Sequence, residues 1–214
     1  MTQLKDTLPP LPVRMQRLAI NDRGFPVPWF VEWIDGKPDF RVMDGRKLIR
    51  AIKEHLCWIC GLPTGSYLAF TIGPMCAINR VSAEPPSHRE CAEFAAQACP
   101  FLTTPKEKRQ EHRLPEDGTF SATGLTRNPG VALVWITKSY KVIRGMDAEV
   151  LFRIGDPTET LWFCEGRPAT RAEVQHSVDT GCPMLMNIAI KDGPEAVAQL
   201  QRQQQAAERY YPAG

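Results

Sequence analysis

An α+β fold is expected from this chain, on three observations. Short β-branched and aromatic runs recur between 131 and 164 at the spacing of an antiparallel sheet. Helix-period segments elsewhere carry their own capping residues, as at Asp44 and Thr170. Five of the seven cysteines (Cys57, Cys60, Cys76, Cys91, Cys99) fall within 43 residues, which marks one segment as chemically distinct.

Taken in order, residues 1–27 are dotted with Pro9, Pro10, Pro12 and Pro26 and predict an extended N-terminal arm. A hairpin follows, Trp29–Ile34 and Asp39–Met43 about a turn at Asp35-Gly36-Lys37. Asp44 caps a helix over Gly45–His55, with Leu48, Ile49, Ile52 and Leu56 at helical spacing. Tyr67–Ile72 and Cys76–Val81 read as two strands around Gly73-Pro74. Pro85-Pro86 stops them, and Ser87 with Glu90 predicts a capping box opening a helix to about Ala98. The domain organisation expected is thus an arm (1–27), a unit of hairpin, basic helix and metal module (28–102), a linker or long loop (103–130), and a C-terminal unit (131–214). Within the last, Val131–Thr137, Tyr140–Ile143, Glu149–Ile154 and Leu161–Cys164 predict a meander. Helices capped by Thr170, over Pro183–Lys191 and from Pro194 to about Arg209 complete it.

Composition bounds the function. Hydrophobic residues make up 43% and charged residues 23% of 214, as in ordinary water-soluble domains. No run approaches the ~18 apolar residues of a membrane span. Met1 to Gln16 carries charges and prolines where a signal peptide would be apolar, so a cytoplasmic location is expected. An odd cysteine count in a reducing compartment argues against a disulfide framework and for a metal site.

The spacing supports that reading. Cys57-x-x-Cys60 offers two sulfurs from one turn, and His88-x-x-Cys91 offers two more ligands from the first turn of a helix. These four predict one structural Zn2+ with no open position for water. Cys76 or Cys99 could replace His88 or help hold a second metal, though both also suit small apolar packing. Knuckle, apparent hairpin and ligand-bearing helix together resemble a treble clef over about residues 56–99. The treble-clef resemblance brings in the HNH nucleases, whose hairpin carries a catalytic histidine. Here Ser66–Ser82 contains no His, Asp or Glu, and His55 and His112 match no such position. No catalytic residue is therefore assigned, and a degenerate HNH-like nuclease stays as an alternative.

Binding is the expected role. Residues 1–113 hold 16 Lys and Arg against 12 Asp and Glu, and the remainder 10 against 12. Arg46, Lys47, Arg50 and Lys53 lie on the polar side of the first helix, with Arg41, Arg80 and Arg89 nearby in sequence or in the metal module. Such a set could grip nucleic-acid phosphates, with Trp58 and Tyr67 as stacking surface. A protein partner is the competing expectation, because Gln199–Gln205 and Tyr210-Tyr211 look like an interaction arm. Segments such as Cys-Trp-Ile-Cys-Gly and Glu-Pro-Pro-Ser-His-Arg-Glu-Cys-Ala also look similar to small bacteriophage and bacterial proteins, which suggests a phage or mobile-element accessory protein acting on a host machine.

Overall fold

Residues 132–137 are buried without interruption, and the architecture follows from that run. A computed structural model describes residues 3–104, 128–145 and 149–213. Strand β5 (Ala132–Thr137) stands between β3 (Leu68–Ile72) and β8 (Pro157–Cys164), and the short β9 (Arg167–Pro168) closes a four-stranded antiparallel sheet. A strand can be apolar at every position only when both sheet faces are covered. Helix α3 (Arg89–Ala98) covers one face, its Ala92 and Ala96 packing with Ala69, Ala132, Val134 and Ile136. Helices α2 (Pro74–Asn79), α5 (Arg171–Asp192) and α6 (Pro194–Ala207) cover the other, around Phe70, Leu133 and Trp135.

Two smaller sheets flank this core. Strands β1 (Val31–Ile34) and β2 (Lys37–Met43) form the expected hairpin. Helix α1 (Gly45–Glu54) follows it, and the Asp44 carboxylate accepts from the backbone N–H groups of Arg46 and Lys47. Strands β4 (Val81–Ser82), β7 (Val150–Ile154) and β6 (Tyr140–Arg144) make a three-stranded sheet in that order. A one-turn helix, α4 (Pro100–Thr103), follows α3.

Several expectations are corrected. Cys76–Val81 is not a strand: Pro74 starts α2, and only Val81 and Ser82 extend. Proline with its fixed φ suits a first helical position, and Gly73 before it is extended. Strand β3 therefore has no hairpin partner beside it and pairs with β5 across the 103–130 segment. The strands after residue 131 do not form one meander, because β6 and β7 leave the sheet of β5 and β8 to pair with β4. Ser87 does not cap α3. Its backbone is held in a bridge to Ala69, so His88 becomes the N-cap residue and Glu90 pairs with Arg14 instead.

At the C-terminus, the capping box of Thr170 and Glu173 forms as expected. Pro183 does not start a separate helix but lies inside the continuous α5. The tail is docked rather than free: the Tyr210 carbonyl accepts from Trp162 Nε1 at 2.7 Å, and Tyr211 is buried against Trp162. Residues 3–27 likewise fold back, with a bridge between Ile20 and Pro26 and a buried Met15. Among the described residues no helix is long and apolar enough to cross a membrane.

Pro183 supplies no N–H to the preceding turn, yet it is exposed, so a smaller residue there leaves no void. Pro183→Ala is expected to raise the unfolding free energy by about 1–3 kcal/mol in urea denaturation. An unchanged or lowered midpoint would show that α5 needs this proline for its packing.

Candidate metal centre

The knuckle is built by short-range backbone bonds. Cys57 N–H donates to the Leu62 carbonyl at 2.8 Å, and Gly61 N–H donates to the Cys57 carbonyl at 2.8 Å. Gly61 turns the chain with φ +72°, in the left-handed region where a Cβ is strained. A Cβ there would also stand 2.6 Å from Cγ of Trp29, so the indole lies directly on the knuckle. Trp58, inside the knuckle, stacks on Phe30 at 4.8 Å and meets Trp29 edge-on.

The second ligand pair is delivered by the bridge at Ser87. Ala69 and Ser87 exchange backbone bonds of 2.9 and 2.8 Å, and Trp58 N–H donates to the Pro86 carbonyl at 3.1 Å. Strand β3 and the knuckle thus fix the residue just before His88. Helix α3 presents Cys91, Phe94 and Ala98 toward the knuckle and Ala92 and Ala96 toward the sheet. Small residues on the second stripe let the helix lie close to the strands.

The four ligand atoms of Cys57, Cys60, His88 and Cys91 lie within 4.8 Å of one another and could hold one metal ion. A tetrahedral centre with bonds of ~2.0–2.3 Å has edges of roughly 3.3–3.8 Å. Cys60 Sγ lies 3.4 Å and Cys91 Sγ 4.0 Å from His88 Nδ1, close to that size. Nδ1 is the inward nitrogen. Nε2 stands 2.9 Å from the Pro63 carbonyl, and a proton donated there leaves the Nδ1 lone pair free for a cation. Backbone N–H groups of Cys60 and His88 donate to Cys57 Sγ at 3.4 and 3.3 Å, which favours a thiolate. All three cysteines are fully buried and His88 is 6% exposed.

Protons in this cluster are unevenly held. Burial opposes ionisation of Cys57, but hydrogen bonds with Cys60, Cys91 and His88 prevail and hold its thiol far below the usual range. Cys91 is driven well up by the Cys57 and Cys60 sulfurs. Hydrogen bonds with Cys57 and Cys60 push His88 up to about 10. A cation entering the cluster takes the place of these protons, so metal affinity falls as pH falls.

Cys76 and Cys99 are outside the cluster. Cys76 lies on α2 against the main core, where burial raises its thiol to about 11, and Cys99 ends α3. The sequence offered no sign of the Pro63 carbonyl or of Met15 as neighbours of the site. Gly61, directly after the second cysteine, is a signal for the left-handed turn that the spacing of the cysteines alone does not carry.

Four of the predicted phosphate-gripping residues lie on α1 and three elsewhere, and most of them face carboxylates. Arg41 is forked onto Asp39 at 2.8 and 2.5 Å. Arg46 meets Asp44 and Glu32, Lys47 donates to the Val31 carbonyl and faces Asp44, and Arg50 binds Glu54. Lys53 is exposed on α1. Arg80 lies over the Trp135 ring at 4.5 Å and pairs with Asp156, while Arg89 bridges Glu93 and Glu159. Trp58 is buried and offers no stacking surface, whereas Tyr67 is exposed with Lys138 over its ring. His55 is exposed at the C-terminal cap of α1, and His112 lies outside the described residues. No family model, curated protein or solved structure matches the chain.

Gly61→Ala should cost about 1–3 kcal/mol, from the left-handed backbone and the displaced indole together. Urea unfolding followed by tryptophan emission checks it. An unperturbed variant would mean that the knuckle tolerates rearrangement.

Proposed function

We propose that this chain is a non-catalytic binding protein, stabilised by one zinc ion, whose partner is another protein. Three thiolates and an imidazole are a donor set that suits zinc, and four protein ligands leave no position for a reacting water. The knuckle and the helix bearing His88 and Cys91 resemble the metal-holding parts of a treble clef, with α2 where its hairpin would be. Helix α2, where a treble clef would carry its hairpin, holds no His, Asp or Glu to act as a general base, which supports a structural role.

The observation that carries the choice of partner is the contrast between aromatics and cations around β1 and β2. Trp33 and Phe40 on this hairpin are 45% and 46% exposed, and Ile49 on α1 is 54% exposed. Exposed aromatic and aliphatic groups on a rigid support are the usual anchors of protein interfaces. The cations beside them face Asp39, Asp44, Glu32 and Glu54, so the local field that would attract a polyanion is largely cancelled. The central segment looks similar to small proteins of bacteriophages and bacteria, a resemblance that would give this reading a setting, an accessory protein that engages a host machine.

Nucleic-acid binding is the second reading, favoured by the side-chain exposure of Arg46 (84%) and Arg50 (56%). Exposed ion pairs are weak, so phosphates could replace their carboxylates.

Fluorescence anisotropy of labelled single- and double-stranded DNA and RNA against zinc-loaded protein separates the two. The protein-partner reading expects no tight binding at low salt. Tight binding that falls steeply with salt and disappears in Arg46→Glu, Arg50→Glu would overturn it. Metal removal by a strong chelator should lower the thermal midpoint and change tryptophan emission, because Trp29 and Trp58 lie on the knuckle. An identical melt with and without chelator would remove the structural role of the metal.

A further inference from the structure

We propose that residues 3–27 form a strap over the metal centre and set the rate at which its metal exchanges. The proposal rests on the reading that Cys57, Cys60, His88 and Cys91 hold a metal ion. Met15, at the end of a 3-10 turn over Val13–Met15, is only 2% exposed and packs in one cluster with Cys57, Cys60, Cys91, Ile59 and Phe94. Leu8, Leu11 and Leu18 pack around the same cluster. The segment holds only one 3-10 turn and one isolated bridge of its own, too little to bury a methionine, so its contacts with this cluster are what order it.

The strap is tied to both ligand-bearing elements. Arg14, next to Met15, pairs with Glu90, next to Cys91 on α3. At the other end the chain turns at Asn21, whose side chain accepts from the backbone of Arg23 and Phe25, and Val27 N–H donates to the Ala19 carbonyl at 2.7 Å. Two residues on, Trp29 N–H donates to the Ile59 carbonyl at 2.7 Å, inside the knuckle. One continuous stretch therefore spans from the α3 ligand to the Cys57–Cys60 turn.

The chemistry of exchange gives this arrangement a consequence. Metal leaves a closed thiolate site fastest when an incoming ligand reaches it before the old bonds break. The apolar lid formed by Met15 and the leucines denies that approach, and the three sulfurs behind it are fully buried. Opening the strap then becomes a step that precedes exchange, as local opening precedes other solvent reactions of buried groups.

The test is stopped-flow transfer of zinc from the full chain to a chromogenic chelator in excess. Wild type is compared with Met15→Ala, with the milder Arg14→Glu, which reverses one end of the tie, and with Leu200→Ala, a buried residue of the main core remote from the strap cluster. Circular dichroism establishes that each is folded. Release at least 10-fold faster in Met15→Ala, and measurably faster in Arg14→Glu, with Leu200→Ala near wild type, is expected. Equal rates in wild type and both strap variants, or equal acceleration in Leu200→Ala, would overturn the strap. A wild-type protein that carries no zinc after loading would instead overturn the metal reading beneath it.

Discussion

Three thiols and an imidazole packed into one dry volume cannot all take their metal-binding forms unless a cation stands among them. Without it, protons must be shared, and the cluster shows the resulting compromise in a depressed Cys57, a raised Cys91 and a raised His88. With a cation, the thiolates are neutralised and the backbone N–H groups aimed at Cys57 Sγ find the acceptor that they suit. The local chain geometry is built around this cluster. The left-handed turn at Gly61, the bridge at Ser87 and the His88 contact to the Pro63 carbonyl all converge on it.

The centre also links parts of the chain that the sequence separates. Helix α3 has two working stripes: one carries a ligand and faces the knuckle and Met15, the other lies on β3 and β5. Strand β3 reaches the site through its bridge to Ser87 and reaches the C-terminal half through five paired residues of β5. Energetically, the sheet supplies a buried platform, while a metal ion held by the four clustered side chains would supply local order that a knuckle this short cannot provide from apolar burial.

What was legible in the sequence was mostly local chemistry. The four clustered ligands follow from spacing, the α1 and α5 caps from Asp44 and Thr170, and the first hairpin from Asp35-Gly36. The errors arose where tertiary contacts decide. Cys76–Val81 alternates weakly enough to look like a strand, yet Pro74 at N1 and the packing of Met75, Ala77 and Ile78 against the core make it a helix. Ser87 has the spacing of a cap, but its backbone is taken by Ala69. The unbroken apolar run of β5 suggested a strand correctly but not that β3, sixty residues earlier, would cover its edge. The basic residues read as a stripe, whereas the structure gives most of them acidic neighbours, several distant in sequence, such as Glu159 for Arg89.

The most direct test of the central claim is cobalt(II) titration of the metal-free full chain, followed by absorption. One equivalent should produce the intense d–d bands of a tetrahedral ion together with sulfur-to-metal charge transfer, and Cys57→Ser or Cys91→Ser should weaken both. Weak octahedral-type absorption, or a tetrahedral spectrum unchanged in those variants, would contradict the assignment of Cys57, Cys60, His88 and Cys91 as one metal centre.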